Sequence, residues 1–268
     1  MFRDITIGQY YPVDSVIHRL DPRTKIAGTL VYIISLFLFH SFLGFVAAVT
    51  AFLGVVILSK VPFRYIVKGL KPIVIVLLFT VLCNIFLTGG TELFRWHFIS
   101  VTKEGLYRGG FMGLRLILLI LGSSMMTYTT TPNQLTDGLE RALAPLKWIH
   151  VPVHEMAMMM SIALRFIPIL VEETDRIRKA QMARGADMES GGLIRRAKAL
   201  VPIFIPLLVS AFRRAFDLAM AMEARCYHGG KGRTKMHPLR YHFRDAIGWL
   251  YLIVYVAIVF VMRILWDV

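Results

Sequence analysis

The sequence predicts an all-α integral membrane protein. It should have about five transmembrane helices and, before the last of them, a basic region of about three amphipathic helices that is cytoplasmic or interfacial. Three observations carry this. Apolar residues make up 56% of the 268 and charged residues 18%, with a mean hydropathy of +0.61, far from the composition of a soluble domain. Apolar runs long enough to be spans alternate with short basic loops. Residues 132–244 carry 18 Lys and Arg against 10 Asp and Glu, the excess that marks a cytoplasmic face. The boundaries that follow are 1–131 for an N-terminal region of four spans, 132–244 for the basic helical region and 245–268 for a C-terminal span.

Residues 1–25 are polar, without the apolar stretch of a cleaved signal peptide, and end in SVIHRLDPRTK, Ser15 to Lys25. Asp21-Pro22 fits an N-cap followed by proline at the first helical position. The segment therefore starts the first membrane helix and anchors it on the cytoplasmic surface. The run from Ile26 to Ser59 contains no acid, Lys or Arg and is too long for one span of about 20 residues. Two short antiparallel spans are expected there, turning at His40-Ser41 and Gly44. Lys60, Arg64, Lys68 and Lys71 put the next loop on the cytoplasmic side, and a third span runs from Pro72 to Leu87. The loop from Thr88 to Arg108 is nearly balanced in charge and carries Trp96, Phe98 and Tyr107, an interfacial belt that places it outside. The fourth span opens with Gly105, Gly109 and Gly113. A small residue at every fourth position admits close approach of another helix, either of this chain or of a partner subunit. Arg115, inside the same span, needs a partner or a wet cavity, or snorkels to the surface. The final span is Ala246 to Met262. Five spans from a cytoplasmic N-terminus leave the C-terminus outside.

The basic region opens with Thr131-Pro132 and sets Leu135, Leu139, Leu143 and Leu146 on one face, an amphipathic helix ending near Pro145. It then repeats itself. FIPILV at 166–171 returns as FIPLLV at 204–209, and the charged runs behind them end in KAQMARG at 179–185 and AMEARC at 221–226. Charges and Pro168 interrupt the first apolar stretch, and the second, 200–212, is short and holds two prolines. Both are therefore expected to be interfacial or partner-covered rather than full spans. The path from Pro168 to Arg184 is shorter than that from Pro206 to Arg225 by nearly one helical turn, so both arginines can leave on a similar face. Gly185 is placed to stop its helix with a left-handed residue, and Gly229-Gly230 is expected to do so slightly later in the second copy.

A cation in a last turn is favoured by the helix dipole, which by itself accounts for one such arginine. Two copies of the construction point instead to two like partners, or to one two-fold symmetric partner. Pro168 and Pro206 each remove a backbone hydrogen bond and are candidate bend points. Methionines concentrate here, at Met156, Met158, Met159, Met160, Met182, Met188, Met220 and Met222. They read either as ordinary packing or as an adaptable surface, with Met156, Met159, Met160, Met220 and Met222 as candidate partner contacts.

Other function classes find little support. The +14 formal charge sits between apolar runs, where it reports topology rather than nucleic acid. Cys83 and Cys226 offer no disulfide framework or zinc spacing. GGKGRTK at 229–235 lacks phosphate-loop spacing, and Met158 stands where a zincin helix after His154-Glu155 needs histidine. No Ser/His/acid triad is legible. No catalytic residue, cofactor or metal is expected on this chain, so any energy must come from a partner.

With these residues in place, the chain resembles the transmembrane T component of energy-coupling factor (ECF) transporters. SVIHRLDPRTK before the first span, the several spans, and Ala183-Arg184-Gly185 with Ala224-Arg225-Cys226 carry the resemblance, which runs over essentially the whole chain. It implies a non-catalytic subunit of an ABC importer in the cell membrane. Such a subunit joins two ABC-type ATPases, which would hold ATP and Mg, to one or more membrane-embedded substrate-binding S components for vitamin or micronutrient uptake. Arg184 and Arg225 would dock the ATPases at the ends of coupling helices that cradle the S component, with membrane lipids around them. One alternative is a T component dedicated to a cobalt or nickel importer, whose metal would sit on another chain. The other is an intramembrane enzyme acting on lipid or isoprenoid phosphates held by the basic face. That enzyme would need an acidic cluster, whereas Glu172-Glu173 with Asp175 reads as intrahelical ion pairing.

Overall fold

The structure, a computed structural model, describes residues 10–39, 41–96, 99–186, 192–230, 236 and 238–266. In chain order the elements are α1 (Pro22–Leu38), α2 (Phe42–Ser59), α3 (Phe63–Lys68), α4 (Val74–Leu87), β1 (Glu92–Trp96), β2 (Ile99–Thr102), α5 (Lys103–Thr129), α6 (Pro132–Ala142), α7 (Val153–Ala183), α8 (Leu193–Ala224) and α9 (Phe243–Trp266). The fold is all-helical apart from the antiparallel hairpin β1–β2. Breaks between Arg141 and Ala142 and between Pro238 and Leu239 divide the chain into two compact units.

In the first unit, α1–α6 with α9, helix α5 is central. Gly105, Gly109 and Gly113 are buried. A Cβ added at these three would meet the Ile85 carbonyl oxygen at 2.8 Å, Ile85 Cγ1 at 3.0 Å and Val81 Cγ2 at 3.0 Å in turn. The neighbour that the glycines admit is thus α4 of this chain. On its other sides α5 buries Phe111 and Leu118 against Leu36, Phe39, Phe45 and Ala48, and Leu121, Met125 and Tyr128 against Phe52, Val56 and Ile66. Arg115 donates to the Phe39 carbonyl at 2.7 Å and lies over the rings of Phe111 and Phe37. Its charge satisfies the C-terminal end of α1.

The segment before α1 is tied down by long-range hydrogen bonds. Asp21 is the N-cap of α1 and accepts from the Arg23 N–H at 2.9 Å, with Pro22 in the first turn. Its own N–H donates to Asp245 at 2.7 Å, and the second oxygen of that buried carboxylate accepts from the His242 N–H at 2.8 Å. One side chain therefore holds the starts of α1 and α9 together. Lys25, also buried, donates to the carbonyls of His18 and Thr129 at 3.1 and 2.8 Å. His18 bridges the Tyr11 carbonyl at 3.0 Å and the Ser15 hydroxyl at 2.7 Å, contacts that a neutral imidazole satisfies by donating from Nε2 and accepting at Nδ1.

Several sequence expectations are corrected here. The basic loop after α2 contains the short helix α3. The outer loop forms β1–β2, with Phe98 outside the described residues. Helix α5 starts earlier than the glycine run because Thr102 caps it, accepting from the Gly105 N–H at 3.1 Å. Helix α6 stops at Ala142, before Leu143 and Leu146, since Pro145 cannot continue the ladder and a 3-10 turn takes over at Ala144–Ile149. The buried positions of α6 are Thr136 and Gly138 rather than its leucines, and a Cβ on Gly138 would meet Pro22 and Ile26 at 2.9 Å.

Among the described residues five helices are long and apolar enough to cross a membrane: α2, α5, α7, α8 from Lys198 onward, and α9 to Ile264. The number agrees with the sequence reading, but the membership differs. Length and composition leave out α1 and α4, with 17 and 14 residues, which the sequence reads as spans, and admit α7 and α8, which it reads as interfacial or partner-covered; neither criterion decides whether these two cross the membrane or lie along it. Pro168, Pro202 and Pro206 all lie inside unbroken helices of 31 and 32 residues. A proline removes one hydrogen bond while the ladder on either side holds. Each apolar stretch therefore fuses with the charged run behind it.

Candidate functional site

The second unit presents both arginine motifs at helix ends. Arg184 is the C-cap of α7; the Gly185 N–H donates to Met182 O at 3.0 Å and the Ala186 N–H to Gln181 O at 3.0 Å. This double bond pattern around a left-handed residue, Gly185 at φ +86°, is a Schellman ending. Arg225 is the C-cap of α8; the Cys226 N–H donates to Glu223 O at 2.9 Å and the Tyr227 N–H to Met222 O at 3.0 Å. The left-handed residue is Cys226, at φ +55°. Residue for residue, Ala183-Arg184-Gly185 and Ala224-Arg225-Cys226 share one backbone motif. The expected stop at Gly229-Gly230 is corrected: the left-handed stop falls three residues before Gly229, at Cys226, and Gly229 takes its positive φ in the loop beyond.

Helices α7 and α8 run antiparallel. Gln181 Nε2 donates to the Pro202 carbonyl at 3.5 Å, Arg214 donates to Glu173 at 3.1 Å, and Gly230 lies against the His154 ring. Glu173 therefore pairs with the neighbouring helix as well as lying in a charged run, a contact the intrahelical reading missed. The pair Glu173–Arg214 also relates the two motifs. Arg184 follows Glu173 at the same sequence separation as Arg225 follows Arg214. That separation is close to three helical turns, so each arginine stands near the face that carries the crossing contact, ~16 Å along its own axis and on opposite sides of the crossing. The arginines are spaced three positions wider than the proline motifs. The extra turn falls between proline and crossing, which leaves the arginines matched about an approximate two-fold axis.

Both guanidinium groups are exposed, and among the described residues neither has an ion pair or hydrogen bond. The surrounding surface is apolar. Leu200, Phe204, Leu208, Phe212, Phe216 and Met220 recur at every fourth position of α8, and all are exposed. That ridge fits the groove of a crossing helix. Its four-residue spacing is legible in the sequence, where the methionines rather than this ridge are the candidate contacts. Met156, Met159, Met160 and Met220 are exposed and Met222 is partly so. The antiparallel pairing brings both groups to the same end of the helix pair, while Met188 lies outside the described residues. In this unit only Val153, Ala157 and Ile203 are buried apolar residues among those described. A helix pair with so little core of its own relies on what covers it.

Five helices able to cross a bilayer define a multi-pass membrane protein, here with two like cationic helix ends and a bare apolar ridge. The chain matches the family described as cobalt transport protein, CbiQ, over residues 14–236, and it belongs to that family. Among curated relatives, the energy-coupling factor transporter transmembrane protein EcfT of Clostridium kluyveri is 57% identical over 269 residues, covering all of both chains. The protein of the same name from Thermosediminibacter oceani is 53% identical over 238 residues, 89% of this chain and 90% of that one. That of Bacillus subtilis is 48% identical over 264 residues, 98% and 100%. The resemblance to the T component of ECF transporters is thereby established, and the protein is a membrane component of such a transport complex.

Proposed function

We propose that this chain couples two ATPase subunits to a membrane-embedded substrate-binding S component in an ECF-type importer, with residues 132–244 and the N-terminus on the cytoplasmic side and α7 and α8 lying along the membrane surface rather than across it, so that both arginines reach the cytoplasm. The observation that carries the reading is the pair of identical Schellman endings that expose Arg184 and Arg225 about one crossing point. Two equivalent cations on one helix pair suit two equivalent grooves on paired nucleotide-binding subunits. ATP and Mg reside on those partners, and this chain contributes no catalytic group. ATP binding draws the two subunits together, and the arginines pass the movement into α7 and α8. Pro168 and Pro206 are the places where these helices bend. The ridge on α8 and the exposed methionines then move the S component that lies on them.

Losing a desolvated arginine contact costs on the order of 2–5 kcal/mol. An Arg184→Glu, Arg225→Glu double variant is therefore expected to lose its ATPases during purification in mild detergent. ATPases that remain bound at wild-type stoichiometry would sink the docking idea. The family description favours one second reading, a component dedicated to cobalt uptake. Identifying the small hydrophobic subunits that co-purify separates the two, since a single metal-binding S protein supports dedication and vitamin-binding ones support the shared importer.

A further inference from the structure

Helices α1, α2, α5 and α9 line a partly open cavity of about 240 Å³ within the first unit. Three of the four are long and apolar enough to cross a membrane, so the cavity lies at membrane depth. Its wall is nearly all carbon, and the charged side chains lining it are Lys25 and Arg244, both cations. Each sits in the first turn of its helix, α1 or α9, and the Asp21–Asp245 hydrogen bond holds those two starts together. The cavity therefore has one cationic end. The nearby carboxylates do not line it, and their oxygens accept from the N–H groups of Arg23, Asp21 and His242. Thr24, beside Lys25, contributes a buried hydroxyl with no hydrogen-bond partner. From Arg244 to Tyr255, which lines the far end, the α9 axis runs ~16 Å, close to half of the roughly 30 Å hydrocarbon core. Its apolar wall offers water few hydrogen-bond partners, and left empty it forfeits the dispersion contacts of its lining.

We propose that this cavity holds one acyl chain of an anionic phospholipid, with the phosphate at Arg244 and Lys25 and the Thr24 hydroxyl on an adjoining oxygen. The length matches one leaflet, the charge matches a phosphate, and the surrounding bilayer is the supply. The test uses the full chain with whatever subunits accompany it, exchanged into lipid-free detergent and titrated with phosphatidylglycerol or phosphatidylcholine under native mass spectrometry. The wild type should retain one phospholipid per chain and prefer phosphatidylglycerol about fivefold, the discrimination of one interfacial arginine. Arg244→Gln, at an exposed position, should keep a lipid but lose the preference. Gly28→Leu should lose the lipid, because a Cβ at 28 meets only Leu252 at 3.4 Å and the larger side chain then fills the cavity; Gly28→Ala should keep it. No retained lipid in the wild type, equal binding of the two lipids, or undiminished retention in Gly28→Leu would each overturn the proposal. Should Gly28→Leu fail to fold, Arg244→Gln decides alone.

Discussion

Replacing Gly185 with alanine separates the shape of the helix end from the charge it presents. Nothing lies within 4 Å of a Cβ added there, and φ is +86°. The cost is then backbone conformation alone, about 1–2 kcal/mol for a residue with a Cβ in the left-handed region. Cys226 already bears that cost at φ +55°, so Cys226→Gly should recover about the same amount at the other end. The effects are local and of opposite sign. Hydrogen exchange reads them at the four amides that close the two endings, those of Gly185, Ala186, Cys226 and Tyr227. A change of about 1–2 kcal/mol corresponds to about 5–30-fold in the opening equilibrium. Gly185→Ala should accelerate exchange of the first pair by that factor, and Cys226→Gly should slow the second pair by a similar one. Because Arg225 keeps its C-cap position, ATPases should still co-purify with Cys226→Gly. Unchanged exchange in Gly185→Ala, or faster exchange in Cys226→Gly, would refute the assignment of both ends to one motif.

Gly105→Ala places a Cβ 2.8 Å from the Ile85 carbonyl oxygen, which α4 can relieve only by moving. Overpacking of this kind costs about 1–3 kcal/mol, less up to ~1 kcal/mol from helix propensity. Thermal unfolding should shift down by a few degrees, whereas Gly110→Ala, whose Cβ meets only the Phe42 ring at 3.8 Å, should be neutral or stabilising; equal effects would discount the close approach. Burial holds the His18 imidazole below its ordinary value near 6.5. On acidification the unfolded chain takes up its proton first, so stability present above pH 6.5 is lost as pH falls toward the folded-state value. The melting temperature should drop between about pH 7.5 and 5.5 by less in His18→Gln than in the wild type, and identical drops would remove His18 from the account.

Local chemistry made part of this protein readable at once. Asp21-Pro22 starts α1 and Gly185 ends α7 as written, because a cap is settled by the side chain and the N–H or carbonyl groups within four residues of it. Composition and apolar run length, averaged over tens of residues, likewise set the class of protein, and the doubled FIPxLV…AR unit marked where to look. Chain-wide geometry was not readable in the same way. Local rules favour Gly229-Gly230 as the second helix stop, yet the left-handed residue that stops α8 is Cys226, which carries a Cβ there. Prolines that propensity reads as breaks lie inside α7 and α8, since the ladder around them holds. That α4 is the neighbour of the α5 glycines, that Asp245 receives the N–H of the distant Asp21, and that Glu173 meets Arg214 so that the arginines stand equally far from a common crossing are facts of packing. A sequence read by itself contains the spacing of each arginine from its own proline. Only the packed helices contain the point from which the two arginines are equivalent, because side-chain contact between distant segments is selected by the volume and charge of both partners together.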